Sequence, residues 1–89
     1  MAWVYLLRCA DGTLYCGWTT DVDQRLTAHN AGRASRYTRS RLPVELAWSQ
    51  PQPDRTAARR AEARIKALTR ARKLALIAGE RSGGECPAA

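Results

Sequence analysis

The chain has 89 residues, 45% of them apolar, with fifteen Lys and Arg against eight Asp and Glu, a net charge of +7 and a pI near 10.2. That length suits one compact domain with a thin core, and the apolar content excludes a disordered tail. No stretch approaches the roughly 18 apolar residues of a membrane span, and three cysteines without a Cys-x-x-Cys spacing exclude a disulfide framework or a zinc site. Thirteen of the fifteen basic residues are Arg, whose planar fork suits bidentate contact with phosphate. The expected partner is nucleic acid or another polyanion. The N-terminus enters a strand without a signal-like segment, so the expected location is the cytoplasm.

Two apolar runs, Trp3–Cys9 and Leu14–Thr19, flank Ala10-Asp11-Gly12 and predict a β-hairpin. A two-residue loop would put Tyr5 and Tyr15 on opposite faces. A three-residue loop with Gly12 left-handed pairs Leu7 with Tyr15 and puts both tyrosines on one face, beside Gly17. It also gathers Val4, Leu6, Leu14, Cys16 and Trp18 on the other face as a core surface, so this register is the expected one.

Asp21, followed three residues later by Gln24, predicts the start of a helix that runs to about Asn30, with Gly32 as its stop. Val22, Leu26 and His29 share a face of it, and Arg25 lies one turn before His29. Residues 33–41 read as a polar loop rich in arginine. Arg33, Arg36, Arg39 and Arg41, with Tyr37 and Thr38 among them, form a candidate grip on a nucleic-acid backbone. Val44–Trp48 alternates as a third strand with Val44, Leu46 and Trp48 inward, and Ser49–Pro53 reads as a break. Asp54 caps a long helix with Ala58, Ala61, Ile65 and Leu68 at helical spacing. Thr69 recaps a shorter helix, Arg70–Ala78, stopped by Gly79. Residues 1–79 are thus the expected domain and 80–89 a flexible tail.

Val4-Tyr5 and, ten residues on, Tyr15-Cys16-Gly17 resemble the two-part signature of the GIY-YIG nuclease superfamily. Thr19, Arg25, His29 and Glu62 follow in the family's order, and the resemblance spans roughly residues 3–77, as in a small stand-alone member. Trp3, Val4 and Cys16 depart from the signature's letters at positions that need no chemistry. Leu74 lies where some members carry a polar side chain.

The resemblance implies a small α/β (α+β) fold, a three-stranded antiparallel sheet flanked by helices in the order β-β-α-β-α-α. It implies a metal-dependent DNA endonuclease, structure-selective or of low sequence specificity since so short a chain carries no appended recognition domain, with a role in DNA repair or recombination. RNA is a further substrate class, and a monomer is the default assembly. Tyr5 and Tyr15 become the catalytic pair, Arg25 the phosphate clamp, His29 the assisting group, and Glu62 the one protein ligand of Mg2+ or Mn2+. Tyr5, Tyr15 and His29 are all open as the general base. A phenol, with an ordinary pKa near 10, serves only if cationic neighbours stabilise its anion. The alternative function is a nucleic-acid-binding module that keeps the fold and cleaves little.

Overall fold

The computed structural model describes residues 1–83, with side chains through Gly79. Strands β1 (Ala2–Arg8) and β2 (Leu14–Thr19) form the hairpin, with Leu7 opposite Tyr15 and Tyr5 opposite Gly17. Cys9 N–H donates to Thr13 O and Gly12 N–H to Cys9 O, each at 2.9 Å, which closes a three-residue loop. Gly12 sits at φ +86°, a conformation that side-chain-bearing residues rarely adopt. The register chosen from the two alternation patterns is the one observed.

Helix α1 (Val22–Asn30) begins where Asp21 Oδ1 accepts the Gln24 N–H. The Asp21 N–H itself goes to Thr19 Oγ1. The helix ends at Gly32 (φ +76°), where Gly32 N–H bonds His29 O and Arg33 N–H bonds Ala28 O, the paired closure of a Schellman motif. The segment expected as an open loop contains a short helix, α2 (Arg36–Arg39), capped by Ser35 through the Tyr37 N–H.

Strand β3 (Glu45–Gln52) pairs antiparallel with β1, giving the sheet order β2-β1-β3. Two sequence-based expectations are corrected here. The strand runs through Pro51, because an edge strand tolerates a residue without an N–H. Its alternation is also broken by a bulge: Trp48 lies opposite Leu6 but Leu46 opposite Leu7, leaving Ala47 as the extra residue. Val44 and Trp48 are consequently buried in different cores, and Leu46 is left 39% exposed.

Helix α3 (Arg55–Lys66) starts at Asp54, which accepts the Ala57 N–H, and buries Ala58, Ala61 and Ile65. Helix α4 (Arg70–Gly83) follows Thr69, whose hydroxyl accepts the Arg72 N–H. It continues past Gly79, where a stop was expected: a single glycine costs only about 1 kcal/mol inside a helix, and continued backbone bonding outweighs it. Residues 84–89 of the expected tail lie outside the described residues. Among the described residues no helix is long and apolar enough to cross a membrane.

Because β1 is the central strand, its odd and even side chains feed two separate cores. Val4 and Leu6 pack with Cys16, Trp48, Ala61, Ile65 and Ile77, while Tyr5 and Leu7 pack with Cys9 and Val44 beneath Leu26 and Leu42. The tyrosine face is therefore a second core rather than an open surface. Helix α3 covers one face, α1 approaches the other, and the two flank the free edge of β2.

Candidate functional site

Tyr5 stands on the central strand, yet its ring reaches across the sheet towards the β2 edge. Gly17 makes that possible: a methyl group there would lie 2.5 Å from Tyr5 Oη and 2.7 Å from Cζ. The glycine makes room for the phenol itself. Tyr5 Oη lies 3.0 Å from His29 Nε2, and His29 Nδ1 lies 2.8 Å from Thr38 Oγ1. Thr38 Oγ1 in turn donates to Ser35 O at 3.3 Å.

When the Thr38 hydroxyl directs its hydrogen to Ser35 O, it accepts from His29 Nδ1–H and leaves Nε2 to accept the Tyr5 O–H; this tautomer is an assignment from the hydrogen-bond pattern. Both His29 and Thr38 are essentially inaccessible, at 1% and 0% exposure. Burial, and secondarily the Arg25 charge, hold the imidazole below its ordinary pKa, which keeps it neutral. Burial foremost, then Tyr15, pushes the Tyr5 phenol well above its ordinary value, with Arg25 opposing and Cys16 and Glu62 adding to the rise.

Tyr15 is half-buried. Its ring meets His29 edge-on, with centroids 5.2 Å apart, and stacks against Tyr37 at 5.8 Å. The Arg41 guanidinium lies 3.9 Å from the centre of the Tyr37 ring, bonds Tyr37 O at 2.8 Å and pairs with Asp11 Oδ2 at 3.0 Å. The Asp11 carboxyl is held below its ordinary pKa, first by hydrogen bonds from Thr13 and less by Arg41. Arg41 and Tyr37 thus brace α2 against the hairpin turn. Arg33, Arg36 and Arg39 are exposed around α2 and do not line the cleft at the β2 edge.

At the open edge of β2 lies a cleft of about 330 Å3. Tyr5, Tyr15 and Gly17 form its floor, Arg25 of α1 one wall, and Glu62 of α3 the other. Four of the five residues proposed for catalysis line it directly, and His29 stands behind Tyr5. Glu62 is partly buried at the margin of the α3 face, with Lys66 Nζ 3.4 Å from its Oε2. Its main-chain carbonyl receives the Cys16 thiol at 3.8 Å, and burial raises that thiol to about 11. Leu74 packs against the aliphatic core.

Arg55, Trp18, Thr20 and Thr38 were not identified as contributors from the sequence; Thr20 lines the cleft just past β2. Arg55 lines the cleft from the first turn of α3, and its spacing of seven residues from Glu62, which puts both on one helical face, was the available signal. Trp18 was read as core but is half-buried and lines the cleft. Thr38 was read among polar loop residues and is a buried partner of the histidine. Only the fold could reveal that.

The fold and this constellation define a GIY-YIG catalytic domain, and the profile of that domain matches residues 1–75. The chain is 51% identical over 76 residues to a UPF0213 protein of Streptococcus agalactiae, covering 85% of this chain and 86% of that one. A UPF0213 protein of Natronomonas pharaonis is 47% identical over 78 residues, with 88% and 92% covered. The solution NMR structure of a UPF0213 protein from Bacillus halodurans superposes with a TM-score of 0.56 at 40% identity, over 88% of this chain and 84% of that one. The protein belongs to the UPF0213 family of stand-alone GIY-YIG domains.

Proposed function

We propose that this protein is a metal-dependent endonuclease that hydrolyses DNA phosphodiester bonds in the cytoplasm, with structure-selective or low sequence specificity, in repair or recombination. The observation that carries the reading is the buried Thr38–His29–Tyr5 hydrogen-bond chain, whose phenol opens into a cleft shared by Arg25 and Glu62. A phenol with a raised pKa is almost wholly protonated near neutrality, so little phenolate is present to act as base. Tyr5 need not ionise first: it takes a proton from the attacking water as its own proton passes to neutral His29 Nε2. The water oxygen bonds to phosphorus as the P–O bond to the leaving oxygen breaks. The imidazolium, disfavoured by burial and Arg25, then gives its proton back through Tyr5 while Thr38 keeps the ring oriented. Arg25 carries the charge that develops on the phosphoryl oxygens, and Tyr15 supplies a second phenol to the phosphate.

Among the described residues Glu62 is the one carboxylate lining the cleft, and no three His, Cys, Asp or Glu cluster as a closed metal site. This donor set, one carboxylate among phenolic oxygens, fits a hard and largely hydrated cation such as Mg2+ or Mn2+, anchored by Glu62. When bound, such a cation supplies positive charge to the phosphate and the departing oxygen.

A second reading, a nucleic-acid-binding module with little cleavage, draws on the Lys66 pairing of Glu62 and on the apolar packing of Leu74. The two separate on labelled single-stranded, duplex and branched DNA, with RNA included, incubated with Mg2+ or Mn2+. Wild type is compared with Tyr5→Phe, Arg25→Ala and Glu62→Ala, and binding is measured in parallel. Metal-dependent cutting lost in all three, with binding retained in Tyr5→Phe, supports the nuclease. Cutting that survives all three removes the site assignment. Salt-sensitive binding without any cutting selects the module.

A further inference from the structure

We infer that Arg55 is a second phosphate-binding residue, so that a nucleic-acid strand in the cleft is held from both layers of the fold, by Arg25 on α1 and by Arg55 on α3. The inference rests on the reading of the cleft as a nucleic-acid site and assigns it a contact that the signature residues do not include.

Two independent observations carry it. First, Arg55 lines the same cleft as Arg25 and Glu62, and among the described residues neither arginine makes an ion pair. The cleft therefore holds two uncompensated guanidiniums and one carboxylate, itself neighboured by Lys66. An anion with several acceptor oxygens satisfies that imbalance, and a phosphodiester matches the guanidinium fork.

Second, Arg55 occupies the first residue of α3, at the positive end of the helix dipole, where a cation adds nothing to helix stability and the Asp54 cap carboxylate, committed to the Ala57 N–H, makes no ion pair with it. Its placement is accounted for by a ligand more readily than by folding. The two arginines also differ in origin. Arg25 belongs to the layer that contains the tyrosine face, whereas Arg55 belongs to the layer that carries Glu62. A strand gripped by both would lie along the β2 edge, across the junction of the layers.

The test measures binding of a fluorescent single-stranded DNA oligonucleotide in EDTA over a series of salt concentrations. Wild type is compared with Arg55→Gln, Arg55→Lys, Arg25→Gln and the control Arg64→Gln, an exposed α3 arginine outside the cleft. Loss of one phosphate contact lowers the slope of log K against log salt by about 0.7 for a single strand. The expected result is that slope change in Arg55→Gln and Arg25→Gln, a roughly fivefold or greater loss of affinity, and neither effect in Arg64→Gln. Arg55→Lys should keep the slope, since a point charge still engages phosphate. If Arg55→Gln and Arg64→Gln behave alike while Arg25→Gln loses the contact, the Arg55 assignment is overturned and the site survives. If even the wild type shows no salt-dependent binding, the nucleic-acid reading itself fails.

Discussion

The two faces of the central strand are built from the same backbone for different ends. On the α3 side, Val4, Leu6, Cys16, Trp48, Ala61 and Ile65 make a largely aliphatic core. On the α1 side, the buried volume is shared with Tyr5, His29 and Thr38, three polar side chains in one hydrogen-bonded line. Aliphatic burial stabilises without specifying direction. A buried polar chain contributes less per residue and fails sharply when one member goes, but it holds its side chains in one orientation. The contrast implies that stability and chemistry are separable by substitution, except where Gly17 joins them.

Gly17→Ala should break the separation most severely. Its methyl group would overlap the Tyr5 hydroxyl, so overpacking of about 1–3 kcal/mol adds to displacement of the phenol. Cleavage should fall below detection, and urea unfolding should show the destabilisation. Leu6→Ala, on the aliphatic face, should cost about 2–5 kcal/mol by the same unfolding assay. Its activity per folded molecule should stay within a few-fold of wild type at low temperature. A loss comparable to that of Gly17→Ala would deny the division of labour.

Tyr5→Phe leaves His29 Nε2 without its partner and should destabilise by about 1–3 kcal/mol while abolishing cleavage. The pH dependence sharpens the same point. The pKa of His29 is depressed on folding, so its neutral burial contributes fully above the unfolded value near 6.5. That contribution declines as pH falls from there towards the lower folded value. Urea midpoints measured between pH 8 and pH 5 should therefore drop on acidification, and the drop should shrink in His29→Gln. The smallest effect is expected from Lys66→Gln on the α3 side: an i, i+4 pair contributes only about 0.3–0.5 kcal/mol. Its telling readout is a lower Mg2+ requirement for cleavage, because Glu62 loses a competitor.

The hairpin was legible because period-2 alternation left only one register in which both the tyrosines and the aliphatic residues shared faces. Helix starts at Asp21, Asp54 and Thr69 were legible for a similarly local reason: a side-chain oxygen meets an N–H only three residues away. The bulge at Ala47 was not, since the alternation of Val44, Leu46 and Trp48 carries no mark of the partner strand that interrupts it. Gly79 misled because continued helical bonding outweighs one glycine.

By itself, then, the sequence determined the order of the main strands and helices and the shared face of Tyr5 and Tyr15, which depend on short-range periodicity and spacing. The candidacy of Arg25, His29 and Glu62 came instead from the resemblance to the family signature. Only the tertiary structure decided that Tyr5 crosses Gly17 to the sheet edge, that Thr38 is buried against His29, and that Arg55 and Trp18 share the cleft with Glu62. Those facts depend on how two layers close over one strand edge, and contacts between residues distant in the chain are set by packing, to which no local pattern is sensitive.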